Sequence, residues 1–129
     1  GGKAALKEIA EEVTGLPTDI GDIAKTIKVS KKKYGEAAEH ILEAQKAGKK
    51  DVLTVGRKEA SERRKQALSG HERVPGRDLD EYPPAMFKEG GKGASVKPID
   101  PSHNRGAGAC IGAQCRGVPD GAKVKIEVE

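Results

Sequence analysis

Three carboxylates stand within the four residues Asp78-Leu79-Asp80-Glu81. In an extended chain Asp78 and Asp80 point to one side and Glu81 to the other. Crowded carboxylates repel unless a cation lies among them, and hard divalent ions such as Mg²⁺ take oxygen ligands of this kind. An acidic loop that binds nothing has the same composition, so the cluster alone leaves both readings open. A second cluster reads Ser102-His103-Asn104-Arg105-Gly106-Ala107-Gly108. Asn offers a neutral oxygen ligand, His a base or a ligand, and Arg a two-donor grip on a phosphate. The glycines allow a backbone to come close to whatever is bound.

A third feature is the stretch 57–65, RKEASERRK, with five cations against two anions, preceded by Lys46, Lys49 and Lys50. Such a cluster can neutralise phosphates and release their counterions; a solvated helix face would look the same. Cys110 and Cys115 form no CxxC pair and have no histidine at zinc-finger spacing, so structural zinc is excluded and two small buried thiols are expected. His40 falls in a helical, partly apolar run and reads as structural; His71 receives no role.

The elements that must position these residues belong to a small chain. It has 129 residues, 24 Lys and Arg against 20 Asp and Glu, and a net charge of +4, the size of one small domain or of one domain with an appended segment. Tyr34, Tyr82 and Phe87 are its aromatic residues, too few to stack bases as RRM or OB-type single-strand binders do. No apolar run approaches the roughly 18 residues of a membrane span. The first residues are charged and lack the apolar core of a secretory signal.

Leu6, Ile9, Ala10 and Val13 share a helix face, and Ile20, Ile23, Ala24 and Ile27 repeat that spacing. Two N-terminal helices are therefore predicted, the second over 19–28, with a boundary at Lys31-Lys32-Lys33. A helix is predicted over 36–47, closed by Gly48, then a strand over 51–55 and the basic helix over 57–69. Gly70, Pro75, Gly76, Pro83 and Pro84 predict a long loop over 70–84. A strand over 94–99 and a Gly- and Ala-rich helix over 105–115 follow. Val124, Ile126 and Val128 alternate with charged residues and predict a half-buried strand after the turn Pro119-Asp120-Gly121.

Four ordered motifs give the chain a resemblance. Asp80-Glu81-Tyr82-Pro83-Pro84-Ala85-Met86, Gly90-Gly91-Lys92-Gly93-Ala94, Asn104-Arg105-Gly106-Ala107-Gly108 and Pro119-Asp120-Gly121 are similar to the NucA/NucB type of deoxyribonuclease. The likeness extends upstream through Ala38-Glu39-His40-Ile41, Asp51-Val52-Leu53-Thr54-Val55 and Arg63-Arg64. It covers residues 34–129, with 1–33 as a separate helical segment or linker. The resemblance implies an α+β fold with a small ββα-metal core and extra N-terminal helices. It implies a metal-dependent, largely sequence-non-specific DNA endonuclease using Mg²⁺ or Mn²⁺. Asp80 would be the general base, Glu81 a metal-side group and Asn104 a metal ligand; the first two roles could be exchanged. Arg105 would stabilise the scissile phosphate, and Arg57, Arg63, Arg64 and Lys65 would contact the DNA backbone.

Two positions depart from the pattern. His103 stands where an Asp often precedes the Asn-Arg pair, which makes His103 a further candidate for base or ligand. Position 79 is Leu where the family has Arg, with Arg77 as a possible substitute. The lack of a signal and the leading helical segment resemble the C-terminal module of a bacterial polymorphic toxin, exported within a larger protein, active in the target-cell cytoplasm and held in check by a cognate immunity protein. A catalytically weak or inactive DNA-binding module and an RNase toxin are the alternatives.

Overall fold

A computed structural model describes residues 23–129. The helix predicted around 6–13 lies outside the described residues. The chain order is β1 (Ile23–Val29), α1 (Gly35–Lys46), β2 (Val52–Thr54), a 3₁₀ turn (Arg57–Glu59) continuing into α2 (Ala60–Leu68), β3 (Asp78–Tyr82), β4 (Ser95–Ile99), α3 (Pro101–Gln114) and β5 (Lys123–Val128). The fold is α+β, and β3, β4 and α3 are consecutive, forming a ββα unit.

β5 is the middle strand of a three-stranded sheet, parallel to β1 and antiparallel to β2. Its alternation turns Val124 and Ile126 inward, beside Ile27 and Val29 of β1 and Leu53 of β2, all buried. Ile27 pairs with Ile126 and Leu53 with Val124. α1 lies on this core through Ala37, Ala38, Ile41 and Ala44. Three of these four are alanines, which let the helix axis come close.

The structure corrects the prediction of a helix over 19–28, because residues 23–29 are a strand. The apolar residues at 20, 23, 24 and 27 do match a helical period. Residues 25–29, Lys-Thr-Ile-Lys-Val, match the period of two as well, with β-branched residues that suit a pleated surface. Pairing along β5 decides between them, since it buries Ile27 and Val29 and leaves Lys28 outside.

The loop predicted over 70–84 is also corrected at its far end. Residues 78–82 are β3, with Asp80 opposite Lys97 and Tyr82 opposite Ser95 of β4. Three acids in five residues argue against a strand by propensity; the partner strand overrides it. β3 is pinned by Tyr82, which is buried and donates its hydroxyl to the Lys50 carbonyl at 2.8 Å while accepting Gln45 Nε2 at 2.9 Å.

α3 begins at residue 101, earlier than the predicted 105. Asp100 caps it, its Oδ1 accepting the N–H groups of Ser102 and His103, and Pro101 occupies the first turn, where its missing N–H is harmless. This earlier start places His103, Asn104 and Arg105 on the first turns of the helix. Gly106 is needed there for a packing reason: a Cβ would stand 2.7 Å from the Tyr34 ring.

Candidate active site

β3 floors a cleft of about 570 Å³. One bank is α2, with Arg64 and Leu68, and beyond it Arg73. The other bank is α3, with Asn104, Arg105 and Ala107, together with Ala37 and Ile41 of α1. Asp78, Asp80 and Glu81 line it from below. Alternation along the strand turns Glu81 away from Asp78 and Asp80, and the step of two residues along β3 gives those two separate partners.

Asp78 is gripped by α3. Its Oδ2 accepts Asn104 Nδ2 at 3.0 Å and Arg105 Nε at 3.0 Å, and its Oδ1 accepts Arg105 Nη2 at 3.1 Å. The bond from Asn104, then that from Arg105, holds the Asp78 carboxyl below the usual carboxylate range. Asp80 turns to α1, where His40 Nδ1 lies 2.7 Å from its Oδ2. Glu81 turns to α2. Its side chain is only 9% exposed, and Arg64 Nε reaches its Oε2 at 3.6 Å. Burial raises the Glu81 pKa; Arg64 pulls it down, and the charge of Asp80 pushes it up again. Glu81 is thus a buried carboxylate whose charge is incompletely offset.

That is the environment a cation would relieve. Among the described residues no three His, Cys, Asp or Glu side chains are grouped so as to enclose an ion. A full protein cage, such as zinc or calcium sites often use, is absent there. A small hard ion that keeps most of its waters needs only one or two carboxylates. Glu81 and the Asn104 amide oxygen, whose nitrogen is already committed to Asp78, suit such an ion.

The sequence-derived candidates separate in space. Asp80, Glu81, Asn104, Arg105 and Arg64 come together in the cleft. Arg64 and Arg105 are exposed, with side-chain accessibilities of 68% and 74%, and Lys65 is exposed on the same helix as Arg64. Arg63 is not available in this way. It is 13% exposed and donates through Nη1 to the carbonyls of Gly56 and Ala85, tying α2 to the loop after β3. Arg57 pairs with Asp120 at 2.9 Å and donates to the Cys115 carbonyl, fastening the end of α3 and the Pro119-Asp120-Gly121 turn.

His103 does not line the cleft. Its Nδ1 accepts the Glu36 N–H at 3.1 Å, capping α1, whose own N-cap residue Tyr34 makes no side-chain cap bond. Arg77 is likewise drawn off, paired with Glu36 at 2.7 Å. Arg73, rather than Arg77, joins Arg105 in lining the cleft near Asp78.

Two residues to which the sequence assigns no role, Asp78 and Arg73, line the cleft, and His40 stands behind it, bonded to Asp80. For His40 the available signal was a lone ionisable residue on the apolar face of α1, between Ala37 and Ala38 on one side and Ile41 on the other.

A family model for deoxyribonuclease NucA/NucB matches residues 30–127. The chain is also 43% identical over 105 residues to the DNA-entry nuclease of Bacillus subtilis (strain 168), a match that spans 81% of this chain and 71% of that protein. No helix among the described residues is long and apolar enough to cross a membrane. The ββα unit, the acidic strand at the floor of the cleft and the Asn-Arg pair on the facing helix agree with that match: the chain belongs to the NucA/NucB deoxyribonuclease family.

Proposed function

We propose that this protein is a divalent-metal-dependent endonuclease that hydrolyses DNA phosphodiester bonds with little regard to sequence. The observation that carries this is the cleft itself. An incompletely neutralised carboxylate, Glu81, a second carboxylate, Asp80, and the exposed cations Arg64 and Arg105 share one trough.

The chemistry asks for an activated water, positive charge at the phosphate and a fixed substrate position. Asp80 takes the water proton. Its Oδ2 is engaged by His40, so Oδ1 is the acceptor. Arg105 is anchored to Asp78 through Nε and Nη2, and its Nη1 donates to a non-bridging phosphate oxygen. Glu81 and Asn104 hold the divalent ion, which, when bound, supplies positive charge to the phosphate as it becomes more negative. Arg64, Arg73 and Lys65 follow the DNA backbone. Among the described residues no element presents a row of base-reading side chains, so affinity is carried by phosphate contacts.

The test is supercoiled plasmid incubated with the purified protein, with Mg²⁺ or Mn²⁺, with excess EDTA, and beside Glu81→Gln and Asp80→Ala. Metal-dependent nicking that both variants lose supports the reading. A gel shift with an intact plasmid under every ion would overturn it in favour of a binding module, and RNA digested in parallel separates DNase from RNase. His103, the departure from the family pattern, caps α1 and does not line the cleft. Action as a toxin module is a separate proposal, drawn from the sequence resemblance. Cytoplasmic expression of residues 1–129 beside Asp80→Ala tests it, and harmless expression of the active protein would end it.

A further inference from the structure

Apart from Glu81, His40 is the only His, Asp, Glu, Lys or Arg buried among the described residues. Both of its ring nitrogens are engaged. Nδ1 lies 2.7 Å from Asp80 Oδ2, and Nε2 lies 2.9 Å from Ser95 Oγ. Three elements converge to make this arrangement. α1 brings the imidazole inward on its alanine-rich face. β3 and β4 pair so that Asp80 faces Lys97 and Ser95 faces Tyr82. Asp80 and Ser95 are therefore diagonal neighbours on one face of the pair, and the ring bridges them.

An ionised carboxylate only accepts, so His40 carries its proton on Nδ1 and donates it to Asp80. Nε2 and the Ser95 hydroxyl share the second bond. The Asp80 side chain is 20% exposed and opens to the cleft, while its partner ring is 1% exposed. With one oxygen held by a buried, twice-bonded ring, the carboxylate is oriented and its other oxygen is left for the cleft.

We propose that His40 is the positioning residue of the nuclease site, and that Ser95 sets the ring so that Asp80 keeps Oδ1 toward the water it activates. This rests on the assignment of Asp80 as the water-activating group. Fixing a base in reacting geometry is worth large factors, and a misplacement of about 1 Å is costly. A structural role alone would show in stability and not in turnover per folded molecule.

The experiment compares wild type, Asp80→Ala, His40→Ala, His40→Asn and Ser95→Ala in steady-state plasmid nicking at saturating metal, with a thermal melt of each. Asn places an N–H where Nδ1 stands, so it restores the donor without the ring. The expected result is a kcat about 10- to 100-fold lower in His40→Ala, the range seen when an outer partner of a site group is removed, with KM for DNA unchanged. His40→Asn recovers most of that loss, and Ser95→Ala loses several-fold. Equal kcat for folded His40→Asn and His40→Ala, or a His40→Ala kcat equal to wild type, would overturn the proposal. If His40→Ala does not fold, Ser95→Ala decides, and a wild-type kcat there overturns it. A wild-type protein that nicks nothing under any ion, or an Asp80→Ala that nicks normally, removes the nuclease assignment and this inference together; normal wild-type nicking with insensitive His40 and Ser95 variants removes the inference alone.

Discussion

Asp78 is the acid whose removal separates positioning from restraint. It accepts three hydrogen bonds from two consecutive residues of α3, one from Asn104 and two from Arg105. An Asp78→Asn amide keeps one acceptor oxygen and turns the other into a donor that faces donors, so the two-bond grip on Arg105 and the bond to Asn104 cannot both survive. Arg105, whose side chain is already 74% exposed, is then free to swing into solvent, and the Asn104 amide loses what orients it. Loss of one such orienting partner lowers activity or metal affinity about 10- to 100-fold, and losing two at once puts the expectation near 100-fold. The melt should hardly move, because exposed ion pairs add little to stability. Nicking rates measured against Mg²⁺ concentration should show a higher half-saturating concentration, from Asn104, and a lower plateau, from Arg105. Adding Arg105→Ala to Asp78→Asn should cost less than the product of the single losses, because both act on one guanidinium. The folded-state Asp78 pKa is depressed, chiefly by Asn104 and then Arg105, so whatever this pair contributes is present above the unfolded carboxylate pKa of about 4 and fades as pH falls below it. Faster nicking by Asp78→Asn would refute the reasoning, since Asp78 would then be restraining Arg105; so would fully multiplicative losses.

Glu81→Gln should melt higher than wild type at neutral pH without metal. Burial raises the Glu81 pKa, so its ionisation opposes folding as pH rises, and the advantage should vanish in acid where Glu81 is protonated in both states; added Mg²⁺ should then stabilise wild type more than the variant. Arg63→Ala should lower the melting temperature through the loss of bonds to Gly56 and Ala85, whereas Arg64→Ala should weaken DNA retention on a salt gradient and leave the melt in place. A reversal of these two outcomes would show that Arg63 reaches DNA. Tyr82→Phe leaves the Lys50 carbonyl and the Gln45 amide without their shared partner and should lower the unfolding free energy by about 1–3 kcal/mol in urea denaturation; a change below about 0.5 kcal/mol would show that β3 is not pinned there.

Much of this protein was readable from its order of residues. The alternation of Val124, Ile126 and Val128 specifies the central strand, because a period of two can bury only one face. The α1 pattern, the Pro119-Asp120-Gly121 turn and the four motifs carried the helix, the turn and the family, and those motifs contained the cleft's Asp80, Glu81, Asn104 and Arg105. Local chemistry sufficed for these features. The strand at 23–29 was not readable, since its residues satisfy both periods and pairing with β5 decides between them. Nor was β3, whose acids oppose a strand until β4 supplies the ladder. The division of labour among the cations was equally hidden. Arg57, Arg63 and Arg64 are alike in sequence, yet Arg57 is bound to Asp120 and Cys115, Arg63 to two backbone carbonyls, and Arg64 stands open beside Glu81. His40 and His103 likewise meet partners that the local sequence does not reveal. Their partners, Asp80 and Ser95 for one and the Glu36 N–H for the other, lie between 40 and 67 residues away along the chain. Residue type sets what a side chain can do; the long-range packing of α1, β3 and α3 decides what it meets.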